Sequence, residues 1–178
     1  MPYRLDEKNL PTVPCCVCGS ASNVVRTEAH IQTWINCIRC GDFRVIHDGV
    51  QLPLRDAKLR ALASYTLRKM QGAQRPIFDG IFLHSLSSVH LPSPAEATDN
   101  LLLWFDEQAD GRAGNTIKYN LNDDALPGIV GVVDSSDIKW AVLNLEDLGL
   151  IRSRASENPT SASDVVQLTG KGWGEWKN

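Results

Sequence analysis

No stretch of this chain approaches the roughly 18 consecutive apolar residues that span a bilayer, so the sequence offers no transmembrane helix. The opening residues, Met1-Pro2-Tyr3-Arg4-Leu5-Asp6, lack the apolar core of a secretory signal. The net charge is −3, so there is no global basic field to gather nucleic acid. The sequence holds no G-x-S-x-G, no P-loop, no H-E-x-x-H and no G-x-G-x-x-G. Asp123-Asp124 and Glu146-Asp147 are neighbours in sequence, which does not make a catalytic pair. Catalysis by this chain is therefore not expected. Cysteine is sparse, at five residues, and the arrangement below suits a reducing cytoplasm better than a disulfide scaffold.

Four of those five cysteines fall into two C-x-x-C-G units: Cys15-Cys16-Val17-Cys18-Gly19 and Cys37-Ile38-Arg39-Cys40-Gly41, with eighteen residues between Cys18 and Cys37. That is the spacing of a four-thiolate zinc site. Each C-x-x-C bends into a knuckle that aims two sulfurs at one point, and two knuckles close a tetrahedron. Gly19 and Gly41 follow each second cysteine, where the turn favours positive φ. The expected ligands are Cys15, Cys18, Cys37 and Cys40, and the expected ion is a structural Zn2+ with no open position for substrate. Cys16 is ambiguous and could replace Cys15 or Cys18; His30 and His47 are weaker substitutes.

The 178 residues suffice for one medium domain or two small ones, and the patterning points to an α+β chain. Residues 1–12 read as a flexible polar lead. Residues 13–52 read as a zinc ribbon with strands near 23–27, 32–36 and 43–46. Three short strands bury too little surface alone; metal would supply the missing folding free energy, on the order of 10 kcal/mol. Residues 53–92 read as a linking helix and connector. The helix runs from about Leu54 to Gly72, with Leu59, Leu62, Ala63, Thr66, Leu67 and Met70 on one arc. Off that arc lie Arg55, Lys58, Arg60, Arg68 and Lys69, with Arg75 just beyond. This basic cluster is either a solvated helix face or a phosphate-contacting surface.

Residues 93–178 carry sharper signals. Ser93, Pro94 and Glu96 form a capping-box start, followed by Ala97, Leu101, Trp104, Phe105 and Gln108 on one face. A short strand at 116–119 and a brief helix from Leu126 to Gly131 follow. A longer helix starts near Asp134 with Ile138, Ala141, Val142, Leu145 and Leu148 in period, and Gly149 stops it. Strands at 150–154 and 165–168 enclose a polar loop, and Thr169 caps a closing segment with Trp173 and Trp176. Helix, short helix, longer helix and hairpin is the order of a winged helix-turn-helix.

Both halves together resemble the zinc-ribbon plus winged-helix region that precedes TIR-like or nucleoside-deoxyribosyltransferase-like effector domains in some bacterial proteins. The similarity is carried by the paired Cys units with Phe43, by Leu91-Pro92-Ser93-Pro94-Ala95-Glu96 running into Asp99-Asn100-Leu101-Leu102-Leu103-Trp104, and by the exit from Leu168 to Trp173. The resemblance implies a sensing or targeting half, possessed by bacterial defence or toxin systems, whose catalytic half follows. With the sequence ending at Asn178, the expectation is a stand-alone regulator, a dissected fragment, or a subunit that recruits an enzyme in trans.

Two functions follow as expectations. The first is nucleic-acid binding or sensing. Its contacts would be Lys58, Arg60, Arg68 and Lys69 on the first helix; Ser136, Lys139, Trp140 and Asn144, with Ser135, on the third helix of the winged unit; and Arg152 and Arg154 on the wing. Arg26, Arg39 and Arg44 are ribbon candidates. Against this stands the third helix itself, where Asp134, Asp137, Glu146 and Asp147 face Lys139 alone. The second expectation is a protein-protein adaptor that docks an effector enzyme, with Trp34, Trp140, Trp173 and Trp176 as anchors if exposed.

Overall fold

Alternation of β-branched and aromatic residues lays down a sheet in the first third of the chain. The computed structural model describes residues 12–28, 32–46, 54–72, 75–110, 112, 114–154 and 164–174, and gives only the backbone for 26–28, 154, 173 and 174. The chain is α+β and divides into two compact units, Met1–Leu91 and Pro92–Asn178, each with its own core.

In the first unit, strands β1 (Thr12–Pro14), β2 (Ala21–Glu28), β3 (Gln32–Cys37) and β4 (Gly41–Ile46) are antiparallel neighbours, and β5 (Ile77–Phe78) adds in parallel to β4. Helix α1 (Ala57–Lys69) starts where the Asp56 carboxylate accepts the Leu59 amide at 2.6 Å, an N-cap bond that satisfies one orphan donor. It lies against β4 and buries Leu62, Ala63 and Leu67 with Ile35, Phe43 and Val45. Helix α2 (Gly80–Ser85) follows β5 at once, capped by Asp79.

Two expectations change here. The sheet has five strands rather than three: Thr12, assigned to a flexible lead, belongs to β1, and residues 77–85, read as a connector, form β5 and α2. The physical reason is Phe78, which is fully buried and packs edge-on to Phe43 at 6.3 Å and against Phe82 at 5.4 Å. Two aromatic rings entering one core draw the chain back to the sheet.

In the second unit, α3 (Pro94–Gln108) opens with the expected capping box: Ser93 Oγ accepts the Glu96 amide and Glu96 Oε2 accepts the Ser93 amide at 2.8 Å. Then come β6 (Thr116–Tyr119), α4 (Ala125–Val130), α5 (Ser135–Asp147), β7 (Ile151–Arg154), β8 (Asp164–Leu168) and α6 (Gly170–Gly174). The three strands pair antiparallel in the order β6-β8-β7. The amphipathic stripe read from the sequence is the one buried: Leu101 and Phe105 of α3 meet Ile138, Ala141 and Leu145 of α5, with Ile117, Leu126, Ile151 and Val166. Gly149 ends α5 at φ +69°, and Thr169 Oγ1 accepts the Gly172 amide at the start of α6. No helix among the described residues is long and apolar enough to cross a membrane. The polar loop before β8, and Trp176, lie outside the described residues.

Candidate functional site

Each C-x-x-C unit is wound into a turn by its own backbone. In the first, the Gly19 amide donates to the Cys15 carbonyl at 2.8 Å and Cys15 N–H to the Ser20 carbonyl at 2.8 Å. In the second, the Cys40 amide points at Cys37 Sγ at 3.4 Å. Gly19 and Gly41 leave the turns at φ +83° and +77°, where a β-carbon is penalised. The β2–β3 ladder pairs Ser22 with Cys37 and so sets the two turns side by side.

The result is a cluster in which one sulfur from each of Cys15, Cys18, Cys37 and Cys40 lies within 4.8 Å of the others, and the set can hold a metal ion. Cys15 and Cys40 Sγ are 3.9 Å apart, and Cys18 and Cys37 Sγ 3.5 Å. A tetrahedron of sulfurs at about 2.3 Å from a central cation has edges of about 3.8 Å, so the donor set fits. Three of the four residues are buried and Cys18 is half-buried. Cys16 is not in the cluster, which removes that ambiguity; His30 and His47 lie outside the described residues.

Four thiols this close cannot all ionise without a cation. Hydrogen bonding to Cys16 and Cys18 and burial push the Cys15 thiol up to about 12. Contact with Cys15 and then Cys18 also raises Cys37 and Cys40. Cys18 goes the other way, because the Cys15, Cys37 and Cys40 thiols surround it as donors. A divalent ion held by these four sulfurs would displace their protons and offset the charge of the thiolates.

The sequence reading missed what surrounds the sulfurs. Ser64, fully buried on α1, places Oγ 3.3 Å from Cys40 Sγ and 2.8 Å from the Arg60 carbonyl. A thiolate only accepts, so with a metal bound any hydrogen bond between the two would have Ser64 as its donor. Arg68 donates Nε to the Arg39 carbonyl at 2.9 Å and a second guanidinium nitrogen to the Ile38 carbonyl. Gln71 Oε1 accepts the Asp42 amide at 3.1 Å. The last turns of α1 thus clasp the second knuckle. Ser64 lies off the apolar arc, in the row of Arg60 and Arg68, so apolar periodicity passes over it.

The residues expected to meet nucleic acid are scattered. Lys58 is exposed and Arg60 half-buried; Lys69 lies 4.8 Å over the Tyr65 ring. Arg68 is engaged by the knuckle carbonyls, as above. On the sheet, Arg44 and Arg75 each sit over Trp34, at 5.2 and 5.0 Å, and Arg75 pairs with Asp42 at 3.6 Å. Arg26 stands opposite Trp34 in the ladder, on the other side from Arg44. In the second unit, Ser136 is occupied in capping α5: its amide and hydroxyl both donate to Asp134 Oδ1, at 2.8 and 2.5 Å. Ser135 is exposed beside it, and Asn144 turns inward to Thr98 at 3.5 Å. Lys139 and Trp140 are exposed, Arg152 is exposed on β7, and Arg154 ends that strand opposite Val165.

Fold and site together define an α+β protein bearing a four-cysteine metal-type cluster. No protein-family model matches the chain, and no curated protein and no solved structure matches it either.

Proposed function

We propose that the chain is a non-catalytic recognition module, a structural zinc ribbon joined to a winged helix, and that its metal-bearing unit contacts nucleic acid. Zinc is the ion that an all-cysteine tetrahedral set favours. The order helix, strand, two helices and hairpin, with β6 pairing to the second hairpin strand, supports the winged-helix reading.

The observation that carries the nucleic-acid reading is a division of charge. Met1–Leu91 holds eleven Lys and Arg against seven Asp and Glu, a net +4; Pro92–Asn178 holds seven against fourteen, a net −7. Neutralising phosphates supplies most sequence-independent affinity, so the basic unit is the one suited to the backbone. Arg55, Lys58 and Lys69 are exposed on and beside α1. The test is retardation of duplex and single-stranded oligonucleotides at about 50 mM salt, where such affinity is strong. Replacing Arg55, Lys58 and Lys69 together by Glu should abolish it. Arg68 is left intact, because reversing it would unseat α1 from the knuckle. No retardation by the native protein would sink the reading.

A second reading, an adaptor that docks an effector protein, is favoured by one feature. Trp140 and Leu143 are each 50% exposed on α5, the helix that carries a net −3 from Asp134 to Gly149. A helix of that charge is ill suited to a phosphate groove. The bacterial defence or toxin setting implied by the resemblance belongs to the first reading, and the effector companion to this second one.

A further inference from the structure

The outward side of α5 borders a groove of about 260 Å³ whose other wall comes from β6, β7 and β8. Its floor is apolar, made by Tyr119, Leu121, Val142 and Leu143. Its rim is acidic: Glu146 comes from α5, and Asp164 sits opposite Tyr119 in the β6–β8 ladder. Among the described residues, Lys139 is the only basic side chain that lines it. Glu146 is held in place, since its Oε1 accepts the Ser153 amide at 2.9 Å, which leaves the second oxygen for a ligand. Trp140 and Leu148, three residues before and five after Leu143, are half-exposed as well.

Large apolar side chains grouped in water beside fixed carboxylates form a candidate recognition surface. The charge selects the occupant. Phosphate is repelled by a unit of net −7. An uncharged peptide would leave the rim carboxylates desolvated without a partner, at a cost.

We propose that this groove docks a basic segment of a partner protein, with one large aliphatic or aromatic side chain on the Tyr119–Val142–Leu143 floor and an adjacent Arg or Lys on Glu146 and Asp164. The inference deepens the docking reading above and is independent of the nucleic-acid reading. A bidentate guanidinium suits carboxylate oxygens better than a point ammonium, so Arg should be preferred to Lys. The two carboxylates also act on Tyr119, whose hydroxyl is pushed up to about 12 by burial, Asp164 and Glu146.

The test is selection from a displayed library of random peptides on the immobilised, metal-loaded full chain. The selected sequences should converge on Arg or Lys within a few residues of Leu, Phe or Trp. The corresponding synthetic peptide should shift the amide resonances of Leu143, Glu146 and Ser153. Leu143→Glu, at a half-exposed position that tolerates the change, should weaken binding at least tenfold. Glu146→Gln keeps an acceptor for Ser153 and removes only the charge; it should weaken binding several-fold, with no change in the melting temperature. Acidic winners, no convergence, or a winner that maps to the first unit would each overturn the proposal. So would movement of the same resonances by duplex DNA, or by raising the protein concentration, which would assign the groove to nucleic acid or to a second copy. Oligonucleotide retardation that survives Leu143→Glu would leave the nucleic-acid reading standing whatever the peptide result.

Discussion

At the scale of single residues, the proposed zinc site involves a hydroxyl as well as four sulfurs. Ser64 has one proton and two acceptors within reach, the Arg60 carbonyl and Cys40 Sγ. Loading the site would turn Cys40 into a negatively charged acceptor, which favours turning the proton from the Arg60 carbonyl toward the sulfur. A hydrogen bond donated to a metal-ligating atom typically contributes tenfold or more to metal affinity. Ser64→Ala should therefore weaken zinc binding about tenfold, measured by competition with a chromophoric chelator, while leaving stoichiometry at one ion per chain. Cys37→Ser should lose the ion altogether and unfold the first unit. Metal analysis of freshly purified native protein that returns no zinc would remove the ground for both. The four cysteines were legible in the sequence because their chemistry is written in local spacing. Ser64, Arg68 and Gln71 were not, because they lie more than twenty residues from the knuckle they brace and nothing local marks them.

At the scale of elements, local signals proved readable wherever a bond closes within a few residues. The Ser93 capping box, the Asp134 start of α5 and the Gly149 stop are all of this kind. Strand β5 is two residues long and exists only because Phe78 finds Phe43 and Phe82, so no period could announce it. The close of the second unit shows the same limit. A β-carbon at Gly172 would lie 2.2 Å from the Leu150 carbonyl oxygen, where backbone meets backbone. Gly172→Ala should force α6 off the hairpin and lower the unfolding free energy by about 2 kcal/mol, the range of overpacking changes. Chemical denaturation followed by far-UV circular dichroism would detect it. Tyr119 on β6 offers a pH test. Its folded pKa lies above the ordinary tyrosine value, so the folded state holds a proton that the unfolded state has released. Stability should thus be full below the ordinary value and decline as pH rises from there to about 12. Tyr119→Phe should flatten that decline; an identical alkaline profile in the variant would count against the buried hydroxyl as its source.

At the scale of the whole molecule, the two cores share no residue, and all four metal-type cysteines belong to the first. The first core includes the sulfurs themselves beside Val17, Phe43 and Leu67, with α1 clasped to the second knuckle through Ser64, Arg68 and Gln71. Without an ion nothing would tie the two knuckles together at the sulfurs, and α1 would loosen with the sheet. The second core contains no cysteine and is closed by Leu101, Phe105, Ile138 and Leu145, so it has no reason to respond. Binding energy for a structural zinc is folding energy for the unit that holds it. Calorimetry of the metal-loaded chain should accordingly show two transitions, and a strong chelator should abolish one while leaving the other within a degree or two. Amide resonances of α5 should persist in the chelated sample and those of β3 and β4 should collapse. A single transition that chelation shifts as a whole would mean that the ion stabilises both units, and that the acidic recognition surface on α5 depends on the metal after all.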